Sequence, residues 1–226
     1  MKSIAVVGAG TMGNGIAHVF AQNGFSVTLI DVNPGQLTKA MESISKNLDR
    51  QIAKGTITED QKNSTLKNIT TTHDLLKGVA NAELVVEAAT ENIELKLDIF
   101  EEIDKAAPAG CILASNTSSI SITKIAAATS RPAKVIGMHF MNPVPVMQLV
   151  ELIRGIATDQ ETWDTLHEVV RKLGKTAASA EDFPAFIVNR ILMPMINEAV
   201  YTLYEGVGSV KSIDESLKLG ANHPMG

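Results

Sequence analysis

The chain has one cysteine in 226 residues, and a single thiol cannot close a disulfide within it. Cys111 lies in the apolar stretch Cys111-Ile-Leu-Ala, which points to a buried, reduced thiol. There is no excess of basic charge, since 20 Lys and Arg against 25 Asp and Glu leave a net charge of −5. That balance offers no field to a nucleic acid. No apolar run reaches the ~18 residues that crossing a bilayer requires. Only Lys2 stands before the first apolar run, so no signal or transit peptide is expected. His18, His73, His167 and His223 have no ligand spacing with one another or with Cys111, and no metal site is predicted. The expectation is a cytoplasmic protein, 45% hydrophobic, with one sizeable core and a smaller appended unit.

What is present is alternation. Apolar runs that read as buried strands occur at 3–7, 25–30, 84–87, 111–114, 134–139 and 148–153, with helical patterns between most of them. This predicts an α/β fold with a doubly wound, mostly parallel sheet covered on both faces. Residues 34–67 carry two helical stretches divided by Gly55-Thr56, with Thr58 and Gln61 spaced as a capping box. They are expected to project from the sheet as an inserted helical hairpin. Lys46, Arg50 and Lys54 fall on one face of its first helix. A solvated stripe and an arm for a phosphate-bearing substrate both fit that pattern.

The densest motif is the opening, Ile4-Ala-Val-Val-Gly8-Ala-Gly10-Thr11-Met12-Gly13. Glycines at this spacing after a strand suit a tight turn at Gly8, close approach of a pyrophosphate at Gly10, and helix–strand packing at Gly13. The helix start at Thr11, Met12 and Gly13 presents unpaired N–H groups to phosphate. Asp31 ends the second apolar run 18 residues after Gly13. There a carboxylate can accept from both ribose hydroxyls of an adenosine. It would repel a 2′-phosphate, and Val32-Asn33 supply no cation, so NAD is the expected cofactor rather than NADP.

Ala114-Ser-Asn116-Thr-Ser118-Ser119 follows a strand at the sheet edge where such folds bind ligands. It reads equally as a polar loop in which Ser118 or Ser119 caps a helix beginning near Ile120. Farther on, His139 and Glu151 each interrupt an otherwise apolar strand, and a buried charge without a partner is costly. An antiparallel turn about Pro145 sets the two opposite each other. The carboxylate would then fix the imidazole tautomer and stabilise the imidazolium. A histidine so placed, with Asn142 nearby and a nucleotide fold upstream, suits proton exchange with an alcohol or ketone.

These motifs, with Phe186-Ile-Val-Asn189-Arg190 and Gly220-Ala-Asn-His-Pro-Met-Gly226, together resemble the L-3-hydroxyacyl-CoA dehydrogenases, and among them the short bacterial 3-hydroxybutyryl-CoA branch. The resemblance runs from Met1 to Gly226. It implies NAD-dependent interconversion of a (3S)-3-hydroxyacyl-CoA and a 3-oxoacyl-CoA such as acetoacetyl-CoA. By motif position His139 is the general acid or base, Glu151 its orienting partner, and Ser118 and Asn189 hold the reacting oxygen. Glu91 and Lys96 fall at the nicotinamide ribose, and Asn116, Asn142 and Ser118 near the nicotinamide. Lys54 matches a lysine that contacts CoA, with Arg50 beside it. Asn47 stands where some relatives have serine. Residues 1–183 would form the NAD-binding domain and 184–226 part of an all-α domain, opened by Pro184 and bent at Pro194. Met193, Met195 and Tyr201 read as core or interface residues. Family members continue past Gly226, so the chain reads either as a fragment or as a shortened relative completed by another copy, with a homodimer expected. A β-hydroxyacid dehydrogenase would want a lysine on the helix from Phe186, and none precedes Lys211. A non-catalytic dinucleotide-binding relative is the other alternative.

Overall fold

The computed structural model describes residues 1–226, and in it the opening apolar run forms β1 (Ser3–Val7) with residues 4–7 all buried. There follow α1 (Thr11–Gln22), β2 (Ser26–Ile30), α2 (Pro34–Ala53), α3 (Glu59–Lys67), β3 (Ile69–Thr72), α4 (Leu75–Val79) and β4 (Leu84–Glu87). Next come α5 (Ile93–Ala106), β5 (Ile112–Ser115), α6 (Ile122–Ala126), β6 (Val135–Phe140), β7 (Leu149–Arg154), α7 (Gln160–Lys172) and β8 (Thr176–Glu181). The strands make one sheet in the order β3-β2-β1-β4-β5-β6-β7-β8. β1 to β6 are mutually parallel, β7 returns antiparallel to β6, and β8 runs parallel to β7. The strand order reverses between β1 and β4, and in open α/β sheets the ligand crevice lies outside the strand ends at that point.

Two strands were not foreseen, and both lie at the rims of the sheet. Ile69 is the one buried residue of β3, and β8 is built from Thr, Ala and Ser, with Ala180 its one buried position. A rim strand needs no continuous apolar run, so the hydrophobic pattern did not reveal them. β3 also changes the meaning of 34–67. The helical hairpin is the crossover from β2 to β3, and it is docked rather than projecting. Leu37, Ala40, Ile44 and Leu48 repeat at helical spacing, are buried, and join the same core as Ile16, Val19 and Phe20 of α1. Burying each large side chain of that face contributes roughly 2 kcal/mol. Asn33 caps α2 at Gly35 N, and Thr58 and Gln61 form the reciprocal capping box of α3. Asn68 Nδ2 to Ala21 O (3.0 Å) and Gln22 Nε2 to Gln51 Oε1 (2.7 Å) bind the crossover to the end of α1.

The chain divides into two compact units, Met1–Pro184 and Ala185–Gly226. The second begins with two non-glycine residues at positive φ, Ala185 and Phe186, and holds α8 (Val188–Tyr204), α9 (Val210–Glu215) and a π-turn at Ser216–Gly220. Pro194 lies inside α8, and no residue of α8 is fully buried. Met193, Met195 and Tyr201, expected in a core or an interface, are exposed in this chain, which rules out the first of the two. No helix is long and apolar enough to cross a membrane.

Inside α1, His18 is completely buried and neither ring nitrogen has a hydrogen-bond partner. Burial lowers its pKa to about 4, with Gln22 opposing the shift. The folded state therefore keeps His18 neutral between pH 6.5 and 4 while the unfolded chain takes up a proton. Stability is full above pH 6.5 and falls as the pH drops toward 4, by roughly 2 kcal/mol at pH 4.5. His18→Leu should flatten that slope. Urea unfolding at pH 7 and pH 4.5 checks it, and equal acid losses in parent and variant would exclude His18 as the source.

Candidate active site

The turn from β1 into α1 is built on backbone that side chains cannot share. Gly8 has φ +96°, and a Cβ there would stand 2.6 Å from Ala89 Cα; one on Gly13 would stand 1.7 Å from Gly8 O. Gly10 differs, because a Cβ at that position meets nothing within 4 Å. α1 starts directly after it with no side-chain cap, so its first N–H groups face open space. Asp31 Oδ2 accepts from Ala9 N (2.8 Å) and Oδ1 from Asn33 N (2.9 Å), which holds the carboxylate beside this turn. A bare helix start, an open glycine and an acid at the neighbouring strand end fit a dinucleotide's pyrophosphate and ribose.

Across the crevice, the loops after β4 and β5 are tied together. Glu91 accepts from Thr117 Oγ1 (2.8 Å), Ser119 Oγ (3.1 Å) and Ser118 N (3.4 Å). Neither Ser118 nor Ser119 caps the following helix. Ser121 does, bonding Lys124 N, and α6 begins at Ile122. Ser118 is left to face His139, with Oγ 3.0 Å from Nε2. The register of β6 and β7 sets His139 opposite Glu151, and His139 Nδ1 lies 2.7 Å from Glu151 Oε2. Both side chains are buried, so the carboxylate has little water and the imidazole supplies its N–H. With Nδ1–H donated to Glu151, the lone pair of Nε2 points toward Ser118 and the crevice.

Other expected site residues have different surroundings. Asn116 is buried, and its Oδ1 accepts from Phe140 N (2.9 Å), joining β5 to the strand that carries His139. Lys96 is 1% exposed and its ammonium is paired with Glu87. The same ammonium lies 3.5 Å from Ser115 Oγ. Asn142 is exposed just beyond β6, where its peptide bond to Pro143 is cis. Asn189 is half-buried on α8 of the second unit.

Asn47, Arg50 and Lys54 of the crossover line a groove of about 800 Å³, whose other side includes Pro143, Pro145 and Lys175. Lys46, on the same stripe, is not part of it. Arg50 Nη1 bonds Asn47 Oδ1 at 3.1 Å. The Lys175 ammonium donates to Val144 O (2.7 Å) and Met147 O (2.6 Å) and pins the 143–147 wall. Burial lowers the Lys175 pKa. Sequence reasoning passed over Glu87, Ser115, Thr117 and Lys175. Glu87 had the same signal as Asp31, an acid closing an apolar strand.

Because Gly10 has room, Gly10→Ala should fold normally and lose cofactor affinity. The expected result is a melting temperature close to the parent's and NADH binding weaker by about tenfold, or roughly 1.4 kcal/mol. Fluorescence titration with NADH measures it, and parental affinity would remove Gly10 from the phosphate path.

The sequence model of the 3-hydroxyacyl-CoA dehydrogenase NAD-binding domain matches residues 3–183, and that of the family's C-terminal domain matches 186–226. A 3-hydroxybutyryl-CoA dehydrogenase of Bradyrhizobium diazoefficiens is 56% identical over all 226 residues, which cover 77% of that protein. A probable 3-hydroxybutyryl-CoA dehydrogenase of Bacillus subtilis is 50% identical over the same span, 78% of its length. The crystal structure of (S)-3-hydroxybutyryl-CoA dehydrogenase from Ralstonia eutropha superposes with a TM-score of 0.97 at 47% identity, covering the whole chain and 80% of that structure. The glycine turn, the acid at the end of β2 and these matches over the full length agree: the chain belongs to the NAD-dependent 3-hydroxyacyl-CoA dehydrogenase family.

Proposed function

We propose that the protein interconverts (3S)-3-hydroxybutyryl-CoA and acetoacetyl-CoA, with His139 and Glu151 as its acid/base pair. The observation that carries this reading is the contact series Ser118 Oγ, His139 Nε2, His139 Nδ1, Glu151 Oε2, at 3.0 and 2.7 Å. NAD supplies the hydride acceptor, and in reverse the donor, at C3 of the substrate. His139 Nε2 takes the proton of the C3 hydroxyl during oxidation and returns it during reduction. Glu151 holds the ring in the tautomer that leaves Nε2 free to accept, and answers the charge while the proton resides there. Ser118 Oγ donates to the reacting oxygen as negative charge gathers on it. Asn189 is given a similar role by resemblance alone.

Asp31 binds the adenosine ribose, and the open helix start at Thr11, Met12 and Gly13 takes the pyrophosphate. Glu91, Asn116 just after β5 and Asn142 just after β6 border the nicotinamide. Asn47, Arg50 and Lys54 hold the phosphate-bearing end of the acyl-CoA. Supporting this are the cationic stripe, the groove it lines and the resemblance of Lys54 to a CoA-contacting lysine. The helical unit exposes Ile191, Val200 and Tyr204 on α8, an apolar surface that suits docking of a second copy.

The test is NADH oxidation with acetoacetyl-CoA. The parent should turn over, and His139→Gln should lose about 10²–10⁴-fold in kcat while NADH still binds. Arg50→Ala with Lys54→Ala should raise KM by roughly tenfold and leave kcat nearly unchanged. NADH binding without turnover in the parent would favour a non-catalytic dinucleotide-binding protein. For the second copy, light scattering at micromolar concentration should give twice the chain mass, and a stable monomer would end that part of the proposal.

A further inference from the structure

Glu87 is the most densely bonded carboxylate next to the crevice, and no step described above uses it. It closes β4 beside β1, where the strand order reverses, and it is completely buried. Its Oε1 accepts from Ala89 N (2.9 Å) and Thr90 N (3.4 Å). Its Oε2 accepts from Ser115 Oγ (2.8 Å) and from the Lys96 ammonium. All four partners are donors, so every lone-pair direction of the carboxylate is taken.

These bonds reach two loops at once. Ala89 and Thr90 belong to the segment that ends in Glu91 and that packs against Gly8. Ser115 Oγ in turn accepts from Thr117 N (3.2 Å), and Thr117 Oγ1 bonds Glu91 (2.8 Å). The circuit closes through Ser118 N on Glu91, and Ser118 Oγ is the group facing His139. We propose that Glu87 is a positioning residue: its buried carboxylate locks the loops after β4 and β5 into one piece and thereby sets Ser118 against His139. Its role in turnover rests on the His139 reading above, while its effect on the ring does not.

Glutamine is the sharp substitution because a carboxamide has one accepting end. With its carbonyl on the N–H groups of 89 and 90, its NH₂ faces the Lys96 ammonium and Ser115 Oγ must turn from donating to accepting; turned the other way, its NH₂ meets the two N–H groups. Either way the bonds that join the two loops are rearranged, and Ser118 shifts with them. A displacement of that size at reacting groups lowers turnover far more than binding. Lys96 also loses its counter-charge, which can cost enough stability to prevent folding. Ser115→Ala is the gentler variant, since it removes the bonds of Ser115 Oγ to Glu87, Thr117 N and Lys96 (3.5 Å) but leaves the Glu87–Lys96 ion pair.

Both variants are compared with the parent in kcat, in NADH affinity and in the ¹⁵N resonances of the His139 ring. Glu87→Gln and Ser115→Ala should each lower kcat by roughly tenfold or more, keep NADH affinity within about threefold, and shift the Nε2 resonance. Ser115→Ala should also melt within a few degrees of the parent. The ring resonance decides the matter even if the parent does not oxidise NADH, which separates this proposal from the substrate assignment. An unshifted Nε2 resonance in Ser115→Ala, or turnover within twofold of the parent, overturns it. So does a loss of NADH affinity that matches the loss of kcat, because that is what general loosening of the crevice would produce.

Discussion

The antiparallel return of β7 along β6 is the constraint on which the site depends. Side chains alternate across a strand, so sliding β7 by one residue would turn Glu151 to the other face and leave His139 without its carboxylate. Several contacts resist such a slip. A Cβ on Gly137 would stand 2.8 Å from Ile153 Cβ, so the strand opposite it can carry a bulky residue only in this register. Thr158 Oγ1 bonds Val135 O (2.6 Å) at the start of β6, and Lys175 grips the 143–147 segment between the strands. Packing at one end and a buried ammonium at the other thus determine which imidazole meets which carboxylate.

Carboxylates at or near strand ends recur around the crevice, and their surroundings divide the labour among them. Asp31 is half-exposed and uses backbone N–H groups of Ala9 and Asn33, which leaves accepting capacity for a diol. Glu151 is buried with its Oε2 against the ring of His139, a titratable partner. Glu87 is buried with four donors, including a cation, and has nothing left to offer a ligand. The chemistry open to an acid in this fold depends on how many of its lone pairs the protein has already claimed.

Periodicity and charge cost made much of this legible before any coordinates. The apolar runs located six strands within a residue or two, and two ionisable residues in apolar strands were enough to pair His139 with Glu151. The rim strands β3 and β8 escaped because strands at a sheet edge bury too little to need an apolar run. Without β3 the crossover looked like an insertion, and the buried face of α2 was given no partner. Ser121, rather than Ser118 or Ser119, caps α6 because Glu91 and Asp182 draw the loop onward; Asp182 accepts from Ser121 Oγ, Ile122 N and Thr123 N. Lys96 was given a ribose contact by resemblance alone, and no spacing in the sequence announces its ion pair with Glu87. Asn189 was legible by resemblance only, since a polar residue on a helix has no spacing that marks a function.

Two histidines are buried in the same domain, and they differ in the partners that burial leaves beside them. His18 has no carboxylate beside it, so removing it from water suppresses the charged form against only the opposing effect of Gln22, and the ring stays neutral down to about pH 4. His139 is nearly as deep but touches Glu151 on one nitrogen and Ser118 on the other. Glu151 sets a carboxylate at hydrogen-bond distance from one nitrogen of that ring. The acid/base role proposed for His139 calls for a charged partner at the ring, and the β6–β7 register places Glu151 there, whereas the apolar packing of α1 places no carboxylate beside His18.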